Sequence, residues 1–479
     1  MRREYVIRNY EQKWRRGMAF SLAAILFSTF LSGCSGDRKT SQTEGDEQDK
    51  QEMIQSVEPD AGDGKEETVP EEFELGDGME EFETGDSVEA GTGNEESAGS
   101  ENMGEPDATF CIDTADFACT LLRENLQAAE ENVMVSPVSV LMALAVTANG
   151  AKGETLSQML SVLAANQELD SLNENLRAWT DELIDEKGAS LKIANSIWFD
   201  ENDGQVQIET SFLDKIATFF DAEIYQEVMD ENTLEKINRW VLEKTDGHID
   251  RILDRVSKDA IMYVVNAAAF DAVWQEPYPE GQIRDGIFTD ITQTKQQVSM
   301  MSSQESVYLE DENATGFLKP YQAGYRFVAL LPKEGMTPEE YVKTLDGEKF
   351  LTLLSEARTG VSVLAKTPQF EAEYEIELSN ILQTMGMREA FDMEKADFSG
   401  IGSAADGNFF IGRVLHKTHI AVDELGTKAG AATAVEIRSL GAVREEEIYE
   451  VCLDRPFVYA IVEDKTNVPV FIGVVNTLE

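Results

Sequence analysis

The stretch Glu424-Leu425-Gly426-Thr427-Lys428-Ala429-Gly430-Ala431-Ala432-Thr433-Ala434-Val435-Glu436-Ile437-Arg438 carries two signals that pull in different directions. Thr427, Ala429, Ala431, Thr433, Val435 and Ile437 are small or apolar, while Lys428, Glu436 and Arg438 hold the opposite parity. That period of two is what a strand with one buried face requires. The composition is nevertheless rich in Ala and Gly and has little intrinsic preference for a standing strand. A segment patterned for a sheet but composed to stay mobile is expected to enter the sheet late. Small side chains from Ala429 through Ala432, with Ala434 beyond, would let it slide between existing strands, and Gly426 would permit the hinge dihedrals. Taken alone, the stretch leaves an amphipathic Ala-rich helix or a flexible linker open.

The chain around it has 479 residues, of which 42% are hydrophobic, enough for at least one sizeable core. Its formal net charge of −51, from 91 acidic and 40 basic residues, argues against any sequence-independent grip on nucleic acid or anionic headgroups. The acidity is concentrated: residues 35–105 hold 24 Asp and Glu against 4 Lys and Arg. Glu44 to Asp49, Glu71 to Glu74 and Gly91 to Gly104 read as a solvated, self-repelling tether that cannot bury enough apolar surface to fold.

Ahead of the tether, Arg2, Arg3, Arg8, Lys13, Arg15 and Arg16 precede an apolar run from Met18 to Leu31, the charge order of a secretory signal. The run ends Leu31-Ser32-Gly33-Cys34, which resembles a bacterial lipobox with Cys34 as the lipidated thiol. The expected organisation is a signal peptide over 1–33, a lipidated Cys34 with an acidic disordered tether over 34–106, and one large α+β domain over 107–479. The mature protein is expected on the outer face of a bacterial cell membrane, anchored through Cys34.

Four cysteines and three histidines, with no C-x-x-C spacing, make a structural zinc site improbable, and no metal or cofactor is expected. The chain has no G-x-S-x-G elbow, H-E-x-x-H or G-x-x-x-x-G-K-[ST], which argues against an enzyme. Phe117, Leu121, Leu122 and Leu126 fall on one helical face, and Ser136-Pro137 opens a strongly apolar helix over Val138 to Val146. Leu191 to Phe199, Ile261 to Phe270, Phe327 to Leu331, Val361 to Ala365, Phe457 to Val462 and Val470 to Val475 read as strands.

A series of collinear segments resembles the serpin family of protease inhibitors over essentially all of 107–479. They include Asn132-Val133-Met134-Val135-Ser136-Pro137-Val138-Ser139, Gly150-Ala151-Lys152-Gly153-Glu154-Thr155, Ala194-Asn195-Ser196-Ile197-Trp198, Val265-Asn266-Ala267 with Trp274, Phe398-Ser399-Gly400-Ile401, Val414-Leu415-His416-Lys417 and Arg455-Pro456-Phe457. The resemblance implies an α+β fold of three β-sheets and eight or nine helices, with a reactive-centre loop at about 424–448. It implies a covalent complex with a target protease, and we expect a monomer. It places Ser136, Ser139 and Asn266 beneath the opening of a large central sheet, and Trp274 and His416 where the loop first enters. After cleavage the loop would insert as a new strand and trap the acyl-enzyme. A non-inhibitory member, acting as a surface binding protein or a protease substrate, is the alternative.

Counting the family's usual loop length from Glu424, the resemblance implies a reactive bond between Leu440 and Gly441, hence a protease with an apolar primary pocket. Counting back from Pro456 favours Arg444 and Glu445, hence a trypsin-like enzyme. Two departures stand out. Lys428 replaces a common acidic residue, and Gln297 is expected where relatives often hold a basic partner for Glu424.

Overall fold

In the computed structural model, Asp107 opens the first helix by accepting the Phe110 N–H at 2.7 Å. The structure describes residues 106–127, 132–165, 167–184, 189–200, 206–220, 222–256, 262–403, 408–427 and 447–478. All of them lie within one compact unit, Glu95–Glu479.

Nine α-helices occur among the described residues: α1 Ala108–Leu126, α2 Pro137–Ala148, α3 Gly153–Leu163, α4 Leu169–Ile184, α5 Thr210–Phe219, α6 Glu231–Lys244, α7 Pro338–Val342, α8 Gly347–Ser355 and α9 Ser379–Met385. The apolar face expected on α1 is buried at Phe117, Leu121, Leu122 and Leu126. Every residue of α2 is buried, and Pro137 stands at its first position, where a missing N–H costs nothing.

The strands are β1 Val133–Val135, β2 Ala189–Asp200, β3 Gln207–Ile208, β4 Glu223–Glu227, β5 Met262–Val273, β6 Ile283–Thr289, β7 Lys295–Glu310, β8 Ala314–Pro320, β9 Tyr325–Pro332, β10 Arg358–Pro368, β11 Phe370–Glu377, β12 Gly402–Ser403, β13 Arg413–Val422, β14 Gly426–Thr427, β15 Ile448–Cys452, β16 Phe457–Glu463 and β17 Pro469–Val475. They form three sheets. A nine-stranded sheet runs β1-β17-β16-β9-β8-β7-β10-β15, with β6 also on β7; a six-stranded sheet runs β11-β13-β14-β5-β2-β4; β12 and β3 form the third. α2 packs against β5, β2 and β17, so this helix lies between the two large sheets.

The six-stranded sheet positions the site. β5 pairs antiparallel with β2, and β13 pairs antiparallel with β11. β5 and β13 themselves pair in parallel, Arg413 to His419 against Tyr263 to Ala269. Above that seam, β14 fits between them: Gly426 and Thr427 lie opposite Val273 and Ala272 of β5, and Thr427 opposite Val422 of β13, both antiparallel.

The apolar strands expected from sequence fall within β2, β5, β9, β10, β16 and β17, apart from Ile261, which lies outside the described residues. Strands β11 and β13 escaped that reading because charged residues alternate along them, and β7 because Gln and Ser fill the exposed positions between its ends. On β11, Glu371 and Glu377 meet His419 and Arg413 at 2.8 and 2.7 Å. Between them, Glu373 and Glu375 share Lys417 at 2.6 and 3.3 Å. Cross-strand polar and charged pairs here replace the apolar alternation that marks a strand. They also tie β13 to β11.

Candidate functional site

The hinge is held at the upper end of the β5–β13 seam by four hydrogen bonds from one aromatic cluster. Trp274 donates its backbone N–H to the Leu425 carbonyl at 2.9 Å and its indole N–H to the Asp423 carbonyl at 2.8 Å. Tyr278 donates its N–H to the Glu424 carbonyl at 2.9 Å. The Tyr321 hydroxyl lies 2.6 Å from Thr427 Oγ1, and its ring stacks on Trp274 at 4.3 Å with 13° between planes. Thr427 is fully buried, as its parity required.

Gly426 differs from expectation in its reason. Its φ is not positive, so left-handed dihedrals do not select glycine here. A Cβ at Gly426 would lie 2.0 Å from the Ala272 carbonyl oxygen, so close backbone approach does. Gly426→Val is therefore expected to unseat β14. Loss of contact between Thr427 and the Trp274–Tyr321 stack would show as a changed tryptophan emission spectrum.

Halfway down the seam lies a second, wholly buried group. The Ser136 N–H donates to His416 Nε2 at 3.1 Å, which fixes Nε2 as the unprotonated nitrogen. His416 Nδ1–H then donates to Asn266 Oδ1 at 2.6 Å, between strand partners of β13 and β5. Asn266 Nδ2 donates to the Ser139 carbonyl at 2.7 Å and to the Ser139 hydroxyl and Asn195 Oδ1. The Ser136 hydroxyl donates to the Val470 carbonyl at 2.9 Å, joining this group to the larger sheet. Burial lowers the His416 pKa to about 3, so the ring is neutral. Asn266→Ala would leave the His416 Nδ1–H and the Ser139 hydroxyl without their partner, a loss of about 2–4 kcal/mol. A shifted denaturant midpoint for the Asn266→Ala protein would report it.

Ser136, Ser139 and Asn266 thus lie together beneath the seam, and Trp274 lies at its entrance. His416, expected beside Trp274, belongs instead to the buried middle group, because β13 register sets it opposite Asn266. Glu424 is held not by Gln297 but by Gln369, whose Nε2 donates to Oε2 at 2.6 Å. Gln297 lies on β7, opposite Ile287 of β6. Gln369, like Gln297, is neutral. Tyr278, Tyr321 and Asn195 were missed; Asn195 sits within a quoted motif, Tyr321 is brought in by its bridge to Trp274, and Tyr278 by its N–H to the Glu424 carbonyl. Ala429, Gly430, Ala431, Ala432, Thr433, Ala434, both candidate reactive bonds (Leu440–Gly441 and Arg444–Glu445) and Cys34 lie outside the described residues.

Cys111, Cys119 and Cys452 are free thiols, each with its pKa pushed up by burial. No group of three or more His, Cys, Asp and Glu arranged to hold a metal occurs among the described residues, and no described helix is long and apolar enough to cross a membrane.

A central sheet with a hinge strand seated at one end defines a known class. The family profile "Serpin (serine protease inhibitor)" matches residues 113–478, and the chain belongs to that family. Serpin B6 of Pongo abelii is 30% identical over 377 residues, covering 74% of this chain and 96% of its own. The crystal structure of the thermophilic serpin tengpin in the native state is 43% identical, with a TM-score of 0.74, covering 78% of this chain and 96% of that one. Human thyroxine-binding globulin in complex with its hormone, at 24% identity and a TM-score of 0.69 over 78% of this chain and 100% of that one, shares the fold. The chain therefore has a protease-inhibitor-type fold.

Proposed function

We propose that this serpin is an extracytoplasmic, membrane-anchored suicide inhibitor of serine endopeptidases, with cysteine endopeptidases as a further target class. The observation that carries the reading is β14. Thr427 pairs with Ala272 and Val422 in one antiparallel register, and β5 and β13 pair with each other in the matching parallel register. A strand continued from Thr427 finds every position on both neighbours already aligned. Lys428 would fall opposite Asp271 and Ala421, and Thr433 opposite Asn266 and His416. The inward parity would carry Ala429, Ala431, Thr433, Val435 and Ile437, none of them bulky and polar.

In this mechanism the protease nucleophile attacks the bait carbonyl, the peptide C–N bond breaks, and the new amine leaves with the protease acylated on the loop. The intact loop is pinned at both ends, since the Ser362 N–H holds the Glu447 carbonyl at 3.0 Å and β15 pairs with β10. Cutting frees one end, and the loop displaces the β5–β13 seam as a new central strand. About ten ladder bonds at ~1 kcal/mol each give a driving force of order 10 kcal/mol. The enzyme is carried along, and distortion of its active site leaves the ester unhydrolysed. Leu440–Gly441 remains the first candidate bait bond and Arg444–Glu445 the second.

Cys34 and the acidic tether would hold this domain, as a monomer, outside the cell membrane. A non-inhibitory role is the competing reading, which the shared fold of thyroxine-binding globulin allows; the small-residue hinge disfavours it. Incubating residues 107–479 with a panel of apolar-specific and trypsin-like proteases should give a covalent complex that survives denaturing gels. Cleaved protein alone with every enzyme would refute inhibition. The mass of the released C-terminal peptide would identify the bait bond.

A further inference from the structure

Against the two aromatic residues that hold the hinge lies a charged pair that the insertion chemistry does not itself require. Lys319 on β8 and Glu305 on β7 are 2% and 8% exposed, and Lys319 Nζ lies 3.0 Å from Glu305 Oε1. The ammonium also donates to the Glu276 carbonyl at 3.1 Å. It sits 4.3 Å from the Tyr278 ring centroid and 5.4 Å from that of Trp274. Those are the two residues whose backbone amides hold the Glu424 and Leu425 carbonyls.

Removing two charges from water costs several kcal/mol per ion, and an apolar pair of similar volume would serve stability as well. What the ammonium supplies, and a methylene chain does not, is attraction to two ring faces at once. We infer that Lys319, balanced by Glu305, is a positioning residue: it fixes the Trp274 and Tyr278 rings so that β14 stays seated before the loop is cut. A seated β14 means that insertion only extends an existing pairing. An unseated one must first close the loop and order the hinge before any ladder bond forms. Lys319 therefore sets how fast the cut loop inserts, and through that the division between trapped and released protease.

This rests on the inhibitory reading, but its decisive measurement does not. Lys319→Met combined with Glu305→Leu leaves no unpaired charge. After the loop is cut by a protease that escapes trapping, insertion can be followed as the growth of heat resistance and by tryptophan fluorescence. The double variant should insert about fivefold more slowly than wild type, as loss of a buried cation–π contact predicts. With a trapped protease its stoichiometry of inhibition should rise while the initial cleavage rate stays unchanged. Lys319→Arg, which keeps the cation over the rings, should stay within about twofold of wild type. If the double variant folds poorly, Glu305→Gln, which keeps an acceptor for Lys319 but removes its counter-charge, gives the same comparison at smaller amplitude. Wild-type insertion rates in the double variant, or in Glu305→Gln where that replaces it, overturn the proposal. A wild-type chain that traps no protease yet gains heat resistance on cutting refutes inhibition alone, and the insertion rates still decide the role of Lys319. One that never gains heat resistance overturns both.

Discussion

Under the proposed inhibitory mechanism, Thr427→Arg is expected to leave a chain that is only a substrate: denaturation-resistant complex disappears while the loop is still cut at its original rate. Thr427 is fully buried, faces Ala272 and Val422 and bonds the Tyr321 hydroxyl. A guanidinium there must either enter the protein interior, at several kcal/mol, or hold β14 out of the sheet. Trapping is a race between insertion and hydrolysis of the acyl-enzyme. A barrier raised by about 3 kcal/mol slows insertion more than a hundredfold, which is enough to lose that race. Thr427→Ser, which keeps the hydroxyl, should remain an inhibitor. A Thr427→Arg protein that still formed full complex would sink the insertion mechanism for this chain.

The second large effect concerns acid. With its pKa lowered to about 3 in the folded protein, His416 binds its proton more readily when unfolded. The unfolded state thus holds more protons between about pH 6.5 and 3, and stability rises with pH through that window and falls as pH drops. Between pH 7 and pH 4 the loss traceable to this ring is about 3 kcal/mol. Denaturant midpoints of wild type and His416→Gln should therefore converge as pH falls, because the glutamine protein lacks this proton uptake. Equal pH slopes for the two proteins would show that His416 is not the group responsible. Exposed carboxylates contribute to both proteins alike and cancel in the comparison.

Much of this was legible in the sequence, for identifiable reasons. The helices α1 and α2 and the buried strands declare themselves through apolar periodicity, and the inward parity of Thr427 follows from the loop's alternation. What the sequence hid are contacts made across long separations. His416 and Asn266 are 150 residues apart and meet only because β13 and β5 run parallel in one particular register. The partner of Glu424 was misplaced for the same reason: Gln297 and Gln369 lie on different strands, and which of them faces the hinge depends on sheet geometry. Nothing in the local sequence marks Lys319 and Glu305 as buried, which they are.

The two residues of β14 also impose a reading frame on everything downstream. Because Thr427 is locked to both neighbours, adding or deleting a single residue between it and Thr433 would exchange the two faces of the incoming strand. Residues beyond the change, Glu436 and Arg438 among them, would then point into the core, and Thr433 would miss the His416–Asn266 pair. Changes of two residues would keep the faces. Beyond the last residue that enters the sheet no such constraint applies. Under the proposed mechanism, the segment beyond that point could therefore change in sequence without altering the register of the inserting strand.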